Sequence, residues 1–212
     1  MFQSFNSRRE DETRVRTEGR LPPGQSLTQK FPVLHYGPVP TFNAATWDFR
    51  IWGEVENSVV WSWDQFQKLP HATLKMDLHC VTRWSKFDTE WEGVSLRTLI
   101  NEGFIVPKAE AAFVVQHAEY GYTTNLPLAT MLQDNFLLAT HFNGEPLSPD
   151  HGYPLRGVVG YIPGREDIQT PYLWKGAKWL CGIQFTQNDQ LGFWERAGYH
   201  NDADIWGEQR IA

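Results

Sequence analysis

The stretch TLKMDLHCVTRWSKFDTEW (Thr73–Trp91) alternates apolar and polar residues and then stops on a thiol. Successive side chains of an extended strand point to opposite sides, so Leu74, Met76, Leu78 and Cys80 share one face while Lys75, Asp77 and His79 share the other. Cys80 therefore belongs to the buried side. His79 before it and Arg83 and Trp84 after it bring polar and aromatic groups into the loop that follows. The pattern predicts a sheet-built domain with its chemistry at the end of a strand.

The flanking sequence extends this reading. TWDFRIWGEVENS (Thr46–Ser58) sets Trp47, Phe49 and Ile51 against Asp48 and Arg50, a strand followed by a turn. Ser62 with Gln65 three residues on is a capping-box signature, which predicts a short helix ended by Pro70. GVSLRTLINEG (Gly93–Gly103) is a second helix, with Ser95 near its start and Gly103 as its C-terminal cap. AAFVVQHA (111–118) reads as a buried strand and PLATMLQDN (127–135) as a short helix. FLLATHFNGEPL (136–147) reads as a hairpin on Asn143-Gly144, a pair suited to a type I′ turn. GYPLRGVVGYI and KWLCGIQFTQ are further strands. In the last, Trp179, Cys181, Ile183 and Phe185 alternate inward, making Cys181 a small core residue. Strands outnumber helices, which gives a mixed α+β class with mainly antiparallel sheets and short helices.

Composition agrees. A chain of 212 residues, 41% hydrophobic, is long enough for one substantial core. Ten Trp and thirteen Phe beside seventeen Gly and thirteen Pro favour strands and turns over a helical bundle. Residues 1–30 are polar and lack apolar periodicity, so they read as a mobile or surface-draped arm ahead of a single domain over 31–212. A net charge of −6 argues against nucleic acid or an anionic membrane as the main partner. No apolar run approaches the roughly 20 residues that span a bilayer, and SRREDETRVRTEGR follows its arginine pair with charge where a signal peptide turns apolar. Two cysteines do not make a disulfide framework, so a reducing, cytoplasmic location is expected.

Four clusters carry candidate chemistry. Cys80 is open to several readings: packing in the core, a nucleophile served by one of seven His, or a single thiolate ligand to a soft metal that a cofactor brings. A zinc site would want further Cys or His at short spacing. SPDHGYPLRGVVGYIPG (Ser148–Gly164) gathers His151 in a turn ahead of Arg156, whose planar fork suits phosphate or carboxylate. In YLWKGAKWL (Tyr172–Leu180), Lys175 and Lys178 bracket Gly176 and Ala177; small residues let backbone N–H groups approach an anion. EYGYTTNLPL (Glu119–Leu128) offers Tyr120 and Tyr122, as strand packing or as hydrogen-bond donors.

Taken in order, these segments resemble the molybdopterin-binding domain of the sulfite oxidase family. HYGPVP (35–40) is similar to the family's Arg-Asn-His-Gly-Pro-Val-Pro entry. HCVTRWS (79–85) resembles its molybdenum-ligand segment, especially the form in bacterial sulfoxide reductase catalytic subunits. YTTNLPL, FNGEPLSPDHGYPLR and KGAKWL match further motifs, and the resemblance runs from about Phe31 to Tyr199. It implies a sulfite-oxidase-type fold, one molybdenum–molybdopterin per chain without haem, and oxygen-atom transfer at a small, often sulfur-centred substrate. It implies Cys80 as the metal ligand. His35, Tyr36, His151, Arg156 and Gly176-Ala177-Lys178 become contacts to the pterin and its phosphate, with His117 a further candidate for the same cavity. Tyr122 faces the reacting oxygen, and Arg83 supplies a cation near the metal. The chain departs at Leu34, where sulfite oxidases carry Arg, and at His35 and Tyr36, which replace Asn and His. Little sequence remains for a dimerisation or haem domain, so an electron-transfer protein is expected as partner. The rival reading is a binding domain that keeps the fold without turnover.

Overall fold

The computed structural model describes residues 5–212, so the first four residues of the predicted arm lie outside the description. In chain order the strands are β1 (Ser26–Leu27), β2 (Asp48–Gly53), β3 (Val59–Ser62), β4 (Ala72–His79), β5 (Trp84–Val94) and β6 (Phe113–Ala118). They continue with β7 (Thr123–Pro127), β8 (Phe136–Phe142), β9 (Glu145–Pro146), β10 (Arg156–Val159) and β11 (Leu180–Thr186). The helices are α1 (Phe5–Thr17), α2 (Trp63–Phe66), α3 (Leu96–Asn101), α4 (Leu128–Met131) and α5 (Phe193–Arg196). One sheet runs β1-β5-β8-β10, with β4 on β5 and β9 on β8; the other runs β3-β2-β11-β6-β7. Only β1·β5 and β2·β11 pair in parallel, so the mixed, mainly antiparallel α+β class holds.

Local signals act as expected. Ser62 and Gln65 make both halves of the capping box on α2, and Ser95 caps α3. Asn143 and Gly144 take φ of 51° and 81°, the left-handed pair a type I′ turn requires. The largest core cluster lies between the sheets, joining Phe49, Ile51 and Phe185 to Leu138, Leu155 and Val159. A second cluster holds Met76, Leu78, Trp91, Leu137, Ala139 and Val158. Leu138 and its two neighbours thus face opposite ways, the period-two rule in a sheet covered on both sides.

Two elements differ from the sequence reading. Cys181 does not join the inward row: the register slips between Leu180 and Gly182, so Leu180 takes the core place and the half-buried Cys181 lines a cleft with Asp48, Arg50 and Glu119. The segment before Phe31, which showed no periodicity, forms α1 and β1. It docks through a few anchors, Val15, Leu21 and Leu27 being buried. Its polar contacts cover the face of β4 opposite Met76 and Leu78. Arg20 donates to both carboxylate oxygens of Asp77, at 3.0 and 2.8 Å, and Asp77 is 1% exposed.

Removing Arg20 strands a buried carboxylate. Arg20→Met should cost about 2–3 kcal/mol, less than a fully buried pair because Asp77 keeps a backbone N–H from Asp88. Burial already raises the Asp77 pKa. With the cation gone the folded-state value lies further above the unfolded one, so the penalty is present above it and fades as pH falls through it. Urea midpoints should therefore separate wild type and variant more at pH 7.5 than at pH 5.

Candidate active site

Strand β4 ends at His79, and the chain turns back within four residues to begin β5. Cys80 N–H donates to Trp84 O at 2.9 Å, and Arg83 N–H donates to Cys80 O at 3.0 Å. Arg83 closes this turn in a left-handed conformation, φ 71°. The Cys80 sulfur looks into a cavity of about 260 Å³ whose walls include Thr82, Trp84, Tyr122, Arg156, Trp174 and Lys178. Thr82 Oγ1 lies 3.2 Å from the sulfur. Burial pushes the Cys80 thiol up, while the contact to Thr82 pulls the other way. A metal bound there would displace the thiol proton to solvent and hold Cys80 as the thiolate.

Two basic side chains, Arg156 and Lys178, also line the cavity. Arg156 is 1% exposed; it donates from Nη1 to His151 O and from Nε to Gly157 O, each at 3.1 Å, and lies 5.5 Å from the Trp91 ring. Among the described residues it has no carboxylate partner. Burial brings its pKa down to about 10, so the charge stays. Lys178 Nζ donates to Asp150 O at 2.6 Å, and burial, then Arg156, push it down to about 7. His151 stacks on Phe31 with ring centres 3.9 Å apart, and its buried Nδ1 has no hydrogen-bond partner among the described residues. Burial, then Lys178 and Arg156, depress it to about 4, leaving a neutral ring. His35 Nδ1 donates to Gly37 O at 2.9 Å, which fixes the proton on that nitrogen; His35, Tyr36 and Leu34 form part of the cavity's mouth.

Several expected residues sit elsewhere. His117 lies on β6, bonded to Gln184 Oε1 at 3.1 Å and packed on Trp52, away from the cavity lining. Arg83 points outward, 63% exposed and 3.9 Å from Glu208, because the left-handed turn throws its side chain off the wall. The N–H groups of Gly176 and Ala177 are taken by Leu173 O and Gln116 Oε1, so neither is offered to an anion. Gly176 lines the cavity for another reason: a Cβ there would sit 2.4 Å from Gly157 O, so glycine lets this segment lie against β10. Ala177 is wholly buried behind it. Lys175 is also withdrawn, in an ion pair of 2.6 Å with the buried Glu195.

Tyr122 lies where expected, on the wall, with its hydroxyl donating to Trp174 O at 2.9 Å. Burial, then Glu195, hold its pKa well above the ordinary tyrosine range. Sequence reasoning did not single out Thr82, Trp174, Trp194 or Tyr199, all on the wall. Only Thr82 carried a signal, two residues from the thiol. The rest come from segments that meet only in the fold.

The donor set fits a metal that brings ligands of its own. Among the described residues no three His, Cys, Asp or Glu side chains converge, so Cys80 acts alone and a metal here needs an accompanying chelator. An anionic ring ligand meets a buried guanidinium without a counterion on the cavity lining, whereas His151 is not among the lining residues and its unpartnered Nδ1 is buried.

The oxidoreductase molybdopterin binding domain model matches residues 36–194. An uncharacterized oxidoreductase of Bacillus subtilis, YuiH, is 45% identical over 194 residues, 91% of this chain and 92% of that protein. The catalytic subunit MsrP of a protein-methionine-sulfoxide reductase from Campylobacter jejuni is 28% identical, over 73% of this chain and 54% of its own length. The sulfane dehydrogenase SoxCD of Paracoccus pantotrophus shares the fold at a TM-score of 0.62 and 19% identity, over 77% of this chain and 43% of that one. With three quarters of its length under one family model and a relative 45% identical over nearly its whole length, the chain belongs to the oxidoreductase molybdopterin-binding domain family, and its relatives include a sulfite oxidase and a sulfoxide reductase catalytic subunit.

Proposed function

We propose that this chain is a molybdenum–molybdopterin oxidoreductase that transfers an oxygen atom to or from a small, sulfur-centred substrate, with Cys80 as the protein's thiolate ligand. The observation that carries this reading is one cavity lined both by Cys80 and by Arg156, a buried cation that has no carboxylate partner among the described residues. When bound, the cofactor supplies two-electron oxygen-atom exchange, one group per chain. Arg156 and Lys178 hold its phosphate, and His35, Tyr36 and His151 contact its rings. Gly176 and Ala177 act as backing. Tyr122, kept protonated by burial, presents its hydroxyl at the wall; its one proton is on Trp174 O, and donation toward a substrate's oxygen would exchange that bond for the new one.

The mouth argues for an uncharged substrate. Leu34, Tyr36, Trp194 and Tyr199 are apolar or aromatic, and Arg83 faces away. A neutral S-oxide or thioether suits that rim better than the sulfite dianion, in keeping with the sulfoxide in the name of the Campylobacter relative. An electron-transfer protein resets the centre between turnovers. Among the described residues no helix is long and apolar enough to cross a membrane. The two cysteines are free thiols, which supports a reducing cytoplasm as its location.

Elemental analysis of the purified protein should find close to one molybdenum per chain. Cys80→Ser should abolish the thiolate-to-metal absorption band and lower turnover of methyl phenyl sulfoxide or its sulfide by at least about a hundredfold. A variant that kept both the band and the rate would sink the ligand assignment.

Arg156 gives a second test, because a buried charge without a partner serves the ligand more than the fold. Arg156→Met should leave the cofactor-free protein within about 1–2 kcal/mol of wild type in urea melts. Retention of pterin on dialysis should weaken by about tenfold or more, the loss of one charge-assisted hydrogen bond. Undiminished retention would remove Arg156 from the binding set.

A further inference from the structure

The segment that precedes the family domain reaches the candidate metal ligand from behind. Gln25 is 1% exposed, and its Nε2 donates to Cys80 O at 3.0 Å. The other end of the same amide accepts from Ser85 Oγ at 3.3 Å. Ser85 has a single hydroxyl proton, so its 2.8 Å contact with His79 is a bond it accepts from Nδ1–H. The result is a one-way relay, His79 to Ser85 to Gln25 to the Cys80 carbonyl, and all three side chains are 0–1% exposed. The other ring nitrogen of His79, Nε2, is buried without a partner among the described residues, so the relay begins at His79 and its bonds all run toward Cys80.

Further bonds lock the same turn. Ser26 N–H donates to Arg83 O at 2.9 Å and Thr28 N–H to Ser85 O at 2.8 Å, so β1 runs along the start of β5. Arg16 donates to Gln25 O at 2.8 Å, which orients the Gln25 backbone. From the other end of the chain, Arg210 donates to Val81 O at 2.6 Å and to Pro23 O at 3.3 Å, with its guanidinium 4.7 Å from the Tyr172 ring. Gln25 and Arg210 both lie outside residues 36–194.

We propose that Gln25 is a positioning residue for the metal site: its amide fixes the Cys80 carbonyl, and through the peptide the direction of the Cys80 sulfur. The inference rests on Cys80 being the ligand, and it assigns the N-terminal segment a part in the site. Among the described residues Cys80 O accepts two bonds, from Arg83 N–H and from Gln25. The first is internal to the turn and moves with it. Gln25 alone ties that carbonyl to a separate segment, and supporting groups of this kind orient a ligand and tune its metal.

Gln25→Met keeps the side chain's length and removes both amide bonds; Ser85→Ala keeps the amide but frees its far end, and serves if the first variant fails to fold. In holoprotein with molybdenum content equal to wild type, Gln25→Met should shift the thiolate-to-molybdenum absorption band and the paramagnetic resonance signal of the reduced metal, and Ser85→Ala should shift both less. Hydrogen exchange separates positioning from simple undocking. Amides at 81–84 should exchange about tenfold faster while those of α1 stay as protected as in wild type. Spectra that superpose on wild type with α1 still protected would overturn the proposal. So would faster exchange spread equally over α1, β1 and the turn, since that marks a docking residue. If the wild-type protein holds no molybdenum, the reading of Cys80 as a ligand falls by itself. The bracing of the turn is then decided on cofactor-free protein by the exchange pattern, and unchanged rates at 81–84 would reject it.

Discussion

The reversal of the chain between His79 and Trp84 is the constraint on which the site depends. A thiol can serve as the protein's only bond to a metal only if its backbone does not drift. Here Cys80 has its N–H on Trp84 O and its carbonyl on Arg83 N–H, a closed turn between two long paired strands. The pairing of β4 with β5 sets where the turn falls. The apolar row Met76 and Leu78 sets which way the strand faces as it arrives. The left-handed backbone at Arg83 follows from closing so tight a loop, and the same conformation sends that side chain outward.

Charge is distributed in two ways around the cavity, and the contrast separates structure from binding. Lys175 is fully buried, yet it meets Glu195 at 2.6 Å and the Asn125 carbonyl at 3.0 Å. Glu195 in turn accepts from Trp174 Nε1 and Thr124 Oγ1, both at 3.1 Å. That cluster is largely self-satisfied, and it holds the segment whose Trp174 carbonyl receives the Tyr122 hydroxyl. Arg156 is as deeply buried with only carbonyl acceptors and a Trp91 face around it. Burying a cation costs several kcal/mol even after relaxation, and among the described residues no carboxylate answers the Arg156 charge. An anionic ligand does, which ties the cost of this residue to the cofactor.

What the sequence made legible was local chemistry and ordered motifs. The capping box on α2, the Asn143-Gly144 turn and the alternation up to Cys80 each act within a few residues, and each has its place in the structure. Cys80, Tyr122, Arg156, Lys178, His35 and Tyr36, singled out in the sequence, line one cavity in the structure. The misses have physical causes. Periodicity is blind to a one-residue slip, and the irregularity between Leu180 and Gly182 moved Cys181 out of the core row. Small residues at 176–177 looked like an anion cradle, but their N–H groups serve Leu173 and Gln116 because the segment packs against Gly157. The segment before Phe31 lacked an apolar stripe since it is held by Arg20, Gln25 and a few apolar anchors, and such contacts leave no periodic trace.

The site's selectivity follows from where its charges stand. The protein carries a net charge of −6, so a dianion approaching from solvent meets unfavourable potential before any local contact forms. The cations that would counter this, Arg156 and Lys178, lie on the inner wall, and a bound phosphate would neutralise them first. At the mouth Leu34 is half exposed and Tyr36 nearly so, while Tyr36 packs on Phe193 with ring centres 4.4 Å apart. An entrant therefore exchanges water for apolar and aromatic surface, which favours uncharged sulfur compounds through area removed from water and disfavours hydrated anions. On the proposed reading, Leu34 at the rim in place of an arginine would leave the inner charge where it is, and so would change which molecule is admitted without loosening the hold on the cofactor.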